Sequence, residues 1–245
     1  MKQINEDILY EDKEIIVCHK RAGIAVQTAR LGEADMETIL KNYLKTSYVA
    51  VVHRLDQPVE GVLVFAKTKN AASSLSRQSK GQMMNKRYYA AVAAEKPVLT
   101  KGECVLTDYL WKNGKDNISQ VVRPDQKDAK RAELIYEVID MREPSGQDGE
   151  EKIALVRVRL KTGRHHQIRV QLAHAGMPIL GDAKYGSRES KIYSSKKHIK
   201  NIALCAYGLE FIHPGTGNRM DFRITPSGEA FELFCQLIPE ENGAV

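Results

Sequence analysis

The chain has 245 residues, 42% hydrophobic and 28% charged, enough for a sizeable core and unlike a disordered or fibrous composition. Its 37 Lys and Arg against 31 Asp and Glu leave a net charge of +6, which inclines it toward a polyanion such as nucleic acid. No apolar run reaches the roughly eighteen residues of a membrane helix, residues 1–7 lack the apolar core of a signal peptide, and Cys18, Cys104, Cys205 and Cys235 have neither zinc-site spacing nor disulfide-scaffold density.

A soluble cytoplasmic protein with inert free thiols is therefore expected. Residues 8–10 and 15–18 are short apolar runs around a polar turn and predict a hairpin. Helical spacing of Met36, Ile39, Leu40, Tyr43 and Leu44 predicts a helix over 36–45, with Asp35 as its N-cap. Strands are expected at 49–52 and 62–65, with Pro58 and Gly61 forcing the stretch between them into a loop. A helix capped by Asn70 follows over 70–78, then strands at 88–92, 104–110, 132–139 and 153–160. The last alternates Val156, Val158 and Leu160 with Arg157 and Arg159, one apolar face and one basic. Residues 143–152 read as a surface loop. A helix over 165–175 ends at Gly176, strands cover 203–211 and 222–224, and an amphipathic helix closes the chain over 229–237. Many strands with a few helices, not strictly alternating, predict an α+β architecture.

Three stretches carry possible chemistry. In His53-Arg54-Leu55-Asp56 the arginine favours the ionised carboxylate, which can serve as nucleophile or general base. Taken alone, an ordinary Arg–Asp surface pair explains it equally well. Gly163-Arg164-His165-His166-Gln167-Ile168-Arg169 gathers basic and amide groups at a helix start, suited to phosphate or to positioning an acid, or simply a solvated helix end. A metal site at His165, His166 and His174 is not expected, because adjacent histidines do not share a helix face. Residues 184–200 interleave six Lys or Arg with Tyr185 and Tyr193, which fits phosphates and bases or a flexible basic loop.

Taken together these stretches resemble the RluA family of pseudouridine synthases over nearly the whole chain. The likeness rests on residues 8–12 through Lys20-Arg21-Ala22-Gly23, His53-Arg54-Leu55-Asp56 with 61–68, Lys86-Arg87-Tyr88-Tyr89-Ala90, 163–170 with 178–182 and Tyr185-Gly186, and His213-Pro214. The resemblance implies that Asp56 attacks the uridine and that Tyr88 stacks on the base and assists proton removal from C5. It further implies that Arg169 pairs with the aspartate and Arg54 helps displace the target base. His53, Arg54, Arg164, His166 and Gln167 are the expected RNA-binding residues. Isomerisation has no net redox change, so no cofactor and no metal are expected. The resemblance implies one α+β domain over 1–245, a central mixed or antiparallel sheet flanked by helices with a basic RNA-binding cleft; RNA, ribosomal or transfer, is the expected partner, and a monomer without the family's small N-terminal RNA-binding domain is expected. The sequence departs from the family where Val59-Glu60-Gly61 stands for Thr-Ser-Gly, Arg21 for proline and His165 for Thr or Ser. Those departures keep a rival reading in view, a non-catalytic RNA-binding protein that retains the fold. A glycosylase would instead release the base, and a basic scaffold would not need Asp56, Tyr88 and Arg169 together.

Overall fold

The computed structural model describes residues 4–28, 32–95, 102–143, 152–240 and 242–244. In chain order its elements are β1 (Ile8–Glu11), β2 (Ile15–Lys20), α1 (Met36–Leu44), β3 (Ala50–Val51), β4 (Glu60–Ala66), α2 (Lys69–Lys80), β5 (Asn85–Ala93), β6 (Glu103–Asn113), β7 (Ile118–Val122) and β8 (Lys130–Arg142). There follow β9 (Ile153–Leu160), α3 (Gln167–His174), α4 (Arg188–Lys196), β10 (Leu204–Ile212), β11 (Arg219–Ile224), α5 (Glu229–Glu232) and β12 (Asn242–Ala244). Strands dominate and helices do not alternate with them, the expected α+β class. Contacts gather the chain into two units, Met1–Lys86 with Cys205–Pro226 and Glu240–Val245, and Arg87–Leu204 with Ser227–Pro239.

In the first unit, β1 is antiparallel to β2 and β2 to β4, β4 runs parallel to β10, and β11 and β12 continue antiparallel from β10. A strand flanked on both sides reads as a continuous apolar run, and every residue of β4 is buried. Its Leu63 and Phe65 pack with Ile16 and Cys18 of β2 and with Met36 and Leu40 of α1. Asp35 caps α1 as expected, accepting from the Thr38 amide at 2.8 Å. The cap of α2 is Thr68, not Asn70, because the helix starts one residue earlier and the Thr68 hydroxyl reaches the Ala71 amide at 3.1 Å. His213 explains the His-Pro pair. Its Nδ1 accepts from the Gly215 and Thr216 amides (3.1 Å each), so its proton sits on Nε2 and is donated to Asp12 at 2.8 Å. One imidazole thus ties the β10–β11 turn to the β1–β2 turn.

The second unit pairs β5, β9, β8, β6 and β7 in that order, all antiparallel. The apolar face of β9 is buried at Val156 and Val158. Its expected basic face is neutralised in place. Arg157 lies opposite Glu137 on β8 and bonds it at 3.2 Å, and Arg159 bonds Glu103 of β6. Helix α3 packs Val170 against Leu110 and Ala132. It ends as expected at Gly176 (φ +79°), where the Met177 amide donates to the Leu172 carbonyl at 2.8 Å and closes a Schellman turn. It begins later than expected, at Gln167, because His166 takes a left-handed conformation (φ 53°). The closing helix is also shorter. After α5 the Phe234 and Leu237 amides bond carbonyls three residues back, so the chain tightens into a 3-10 turn over Cys235–Leu237. Most of the expected 143–152 loop lies outside the described residues. Cys18 and Cys205 are buried, Cys104 is partly so, and Cys235 is exposed. Burial pushes the Cys18 and Cys205 thiols well up, which keeps both unreactive.

Gly61 sets how close β4 and β10 approach. Its φ is +152°, and a Cβ there would lie 2.4 Å from the Ala206 Cβ. Gly61→Ala should therefore cost about 2 kcal/mol or more through overpacking and backbone strain. Urea unfolding of the variant checks this; an unchanged midpoint would show that the strands can part without loss.

Candidate active site

The first unit presents the loop between β3 and β4. Asp56 lies partly exposed at its centre, and its carbonyl accepts from the Val59 amide at 3.0 Å, closing a tight turn around Gln57-Pro58. Beneath the loop lies Lys20, at 0% exposure. An ammonium out of water must find its hydrogen bonds inside the protein. Lys20 donates to the carbonyls of Arg21 (3.0 Å), Ile24 (2.7 Å) and Gln57 (3.0 Å), which satisfies all three of its protons. Burial lowers its pKa to about 8 against the opposing pull of Asp56 and Glu60. The residue after Asp56 is thereby fixed through its backbone to β2 and the turn beyond it, and the Gly23 amide donates to the same Gln57 carbonyl at 2.9 Å.

Val59 and Glu60 are core residues, at 2% and 4% exposure. Glu60 opens β4 with His19 at 3.5 Å. The Val59 backbone amide and Lys20 hold this loop. His53 is likewise an interior group. Its Nε2 accepts from the Val64 amide at 3.2 Å, so its proton sits on Nδ1. Burial, with the Lys86 charge adding to it, holds its pKa well below the ordinary histidine value, and it is neutral at pH 7. Arg54 is exposed, bonded to Gln27, and lines a pocket of about 250 Å³ with Gln27, Glu33, Leu55 and Gln57.

The second unit holds the other expected site residues. Tyr88 lies on β5 opposite Val158 and is 6% exposed. Tyr89, next to it, lies opposite Arg157 and is as deeply buried. Arg164, His166, Gln167 and Arg169 come together around the start of α3. Arg164 is exposed and donates to the Arg131 carbonyl at 3.0 Å. Gln167 turns inward. Its Oε1 accepts from the Thr162 hydroxyl (2.8 Å) and the Arg164 amide (2.9 Å), and its Nε2 donates to the Glu133 carbonyl (3.0 Å). Its polar atoms therefore shape the turn into α3. His165 and His166 both precede the helix, and their rings stack at 3.7 Å.

Arg169 is 4% exposed and gives Nε and Nη2 to the two carboxylate oxygens of Asp182, each at 2.8 Å. Burial alone would raise the Asp182 carboxyl, but the Arg169 bonds and charge and the amides of Lys184 and Tyr185 outweigh it, and its pKa is lowered. The Tyr185 ring stands 5.1 Å from the guanidinium. Its hydroxyl accepts from the Ser119 amide (2.7 Å) and meets His166 Nδ1 at 2.8 Å. A fork held on both nitrogens and faced by an aromatic ring has little freedom to rotate. The sequence alone points to no role for Lys20, Asp182 or Ser119, and to Tyr185 only as an aromatic set among cations. Lys20, Asp182 and Tyr185 stand inside the motifs that carry the resemblance, but only packing distinguishes a buried lysine or aspartate from a surface one.

Residues 14–174 match the family model described as RNA pseudouridylate synthase. The chain belongs to this family. Among relatives of the pseudouridylate synthase, it is 28% identical to the tRNA pseudouridine synthase C of Vibrio parahaemolyticus over 99% of both chains. It is 35% identical to the ribosomal large subunit pseudouridine synthase C of Salmonella typhimurium over 94% of this chain and 69% of that one. Among solved structures, human RNA Pseudouridylate Synthase Domain Containing 4 shares the fold at a TM-score of 0.72 and 21% identity, covering 98% of this chain and 97% of that chain. Human RNA Pseudouridylate Synthase Domain Containing 1 gives the same TM-score at 20% identity, over 90% and 83%. No helix among the described residues is long and apolar enough to cross a membrane.

Two stability outcomes follow from the buried cations. Lys20→Met should cost about 2–4 kcal/mol, since three carbonyls lose a charged donor. Asp182→Asn keeps an oxygen for the two amides but strips the countercharge from Arg169, and should cost about 3 kcal/mol at pH 7. The Asp182 contribution is complete above the unfolded carboxyl pKa of about 3.9 and lost as pH falls through the lower folded value. Urea unfolding at pH 7 and pH 2 should show a large difference between wild type and Asp182→Asn at the first and a smaller one at the second. Equal differences at both would overturn the assignment.

Proposed function

We propose that this chain converts uridine to pseudouridine in structured RNA, transfer or ribosomal, with Asp56 as nucleophile. The observation that carries this is the construction of the Asp56 loop, in which a partly exposed carboxylate stands on a backbone clamped by the buried Lys20. A nucleophile is useful only if its position is fixed before substrate arrives.

The reaction is an isomerisation. The bond from ribose C1′ to N1 of the base breaks, the base turns over, and C1′ bonds to C5. The proton on C5 leaves and N1 gains one, so atoms balance and no electron acceptor enters. In this reading Asp56 holds the detached fragment as a covalent adduct, which divides one hard step into easier ones. Tyr88 stacks on the base and assists removal of the C5 proton, and Arg169 is the basic partner of the aspartate that the family resemblance implies. Arg54, the exposed member of its loop, helps displace the base, which an enzyme must first take out of its stack. Arg164 contacts RNA directly. His53, His166 and Gln167 serve the same interface indirectly, by shaping the segments that carry Arg54, Asp56 and Arg164. The two units work as one catalytic domain, in a monomer, in the cytoplasm.

The rival reading, a binding protein without turnover, drew on Val59-Glu60. Both side chains belong to the core, so their exchange for hydroxyls removes no group from the loop's surface. That supports the catalytic reading over the rival.

Asp56→Ala should abolish pseudouridine formation, at least about 10³-fold, and leave RNA affinity within about twofold. The check is to incubate wild type and variant with total RNA from cells lacking the gene and map new pseudouridines by chemical labelling and reverse-transcription stops. Stops with the variant would sink the role of Asp56. RNA binding without stops by the wild type would favour the rival.

A further inference from the structure

The net charge of this chain is local. Residues 184–200 hold Lys184, Arg188, Lys191, Lys196, Lys197 and Lys200 against Glu189 alone, a net +5 of the +6 carried by all 245 residues. The remaining 228 residues are close to neutral. Elsewhere in the same unit arginines sit beside carboxylates, as in Arg131 with Glu133, Arg157 with Glu137 and Arg159 with Glu103.

The segment is also ordered. Ser187 caps α4 by accepting from the Ser190 amide at 3.0 Å. The Ser194 hydroxyl donates to the Ser190 carbonyl at 2.6 Å and accepts from the Gly181 amide at 3.0 Å. Ser190, Tyr193 and Ser194 are the buried face. Tyr193 belongs to that packed face. The opposite face carries Arg188, Lys191 and Lys196, with Ile192 as its large apolar group. Arg188 and Lys196 are eight residues apart, about 12 Å along a helix axis, which spans several phosphates of a nucleic-acid strand. At the head of the segment Asp182 binds the Lys184 and Tyr185 amides (2.9 and 3.2 Å) while it holds Arg169. The charged surface thus begins on the carboxylate that orients a proposed catalytic cation.

We propose that the outward face of α4 and its flanks, Lys184 to Lys200, is a docking surface for the phosphate backbone of the RNA substrate. It reads charge and spacing, not bases. A single apolar side chain on a basic face does not make the apolar stripe that a membrane or a protein groove requires, whereas a polyphosphate strand complements it. The inference rests on the RNA-modifying reading above and extends it to a surface outside the reacting groups.

The test uses Arg188→Gln, Lys191→Gln, Lys196→Gln and Lys200→Gln combined, with Lys13→Gln, Lys69→Gln, Lys80→Gln and Lys127→Gln combined as a control that removes equal charge from scattered exposed positions. The probes are unmodified transfer-RNA transcripts and, separately, deproteinised large-subunit ribosomal RNA lacking pseudouridine. The α4 variant should bind the substrate RNA about tenfold or more weaker near 0.15 M salt, with the slope of log Kd against log salt smaller by about 2–4. Its kcat at saturating RNA and its Tm should match wild type. The control variant should bind within about threefold of wild type. An α4 variant with wild-type Kd and slope, or a control that weakens binding equally, would overturn the docking surface. Wild type that forms no pseudouridine yet loses RNA affinity with the α4 variant would defeat the catalytic reading and leave the surface standing. Wild type with no RNA affinity at all would defeat both.

Discussion

A cation removed from water is expensive unless every proton it carries finds an acceptor, and this constraint organises both regions that hold the candidate residues. Lys20 meets it with three backbone carbonyls and no carboxylate within its hydrogen bonds. Two of those carbonyls come from the turn after β2 and the third from Gln57, so the ammonium can be satisfied only when the Asp56 loop is closed onto that turn. Arg169 meets it through a bidentate carboxylate, and Asp182 is in turn held by two amides. In each case the favourable geometry is narrow. A loop displaced by an ångström would leave a buried charge short of an acceptor, and that penalty is what keeps the backbone in place.

The departures at Val59, Glu60 and His165 become intelligible on the same terms. A hydroxyl in a tight loop normally supplies a local hydrogen bond. Here the Val59 amide bonds the Asp56 carbonyl directly, and the Val59 side chain goes into the core. His165 exchanges a small hydroxyl for a ring that bonds Ser119 and Asn117 and stacks on His166. The β6–β7 hairpin that carries those two residues therefore braces the start of α3, and through the Ser119 amide it braces Tyr185 as well. Partners distant in sequence, Lys20 for the Asp56 loop and Ser119 and Asn117 for the start of α3, hold the backbone in both places.

Those distant partners mark the limit of what the sequence made legible. Elements set by local rules were readable: the alternation in β9, the Asp35 cap, the Gly176 stop and the strands other than β7 and β12. The motif residues were readable because their types and spacing are distinctive. Whether a polar residue faces water was not. Gln167 and His53 have the composition of contact residues and are interior ligands of backbone groups. Arg157 and Arg159 look like a basic face until β8 and β6 bring glutamates beside them. The segment 184–200 reads as a flexible basic loop, since serines compete for backbone groups and no apolar stripe marks a helix; burial of Tyr193 and the serines decides for α4.

Two kinds of cation thus coexist and should obey different physics. Lys20 and Arg169 are desolvated, with fixed partners at hydrogen-bond distance, and mobile ions cannot reach between them. The cations of α4 are exposed, and at 0.15 M salt their field falls off over about 8 Å. Ionic strength therefore acts on the second kind and hardly on the first. Added salt should weaken capture of a polyanion while leaving the geometry of the reacting groups unchanged, so its effect belongs in KM and not in kcat. Charge that must be exact in position is buried in this fold, and charge that need only attract is left at the surface.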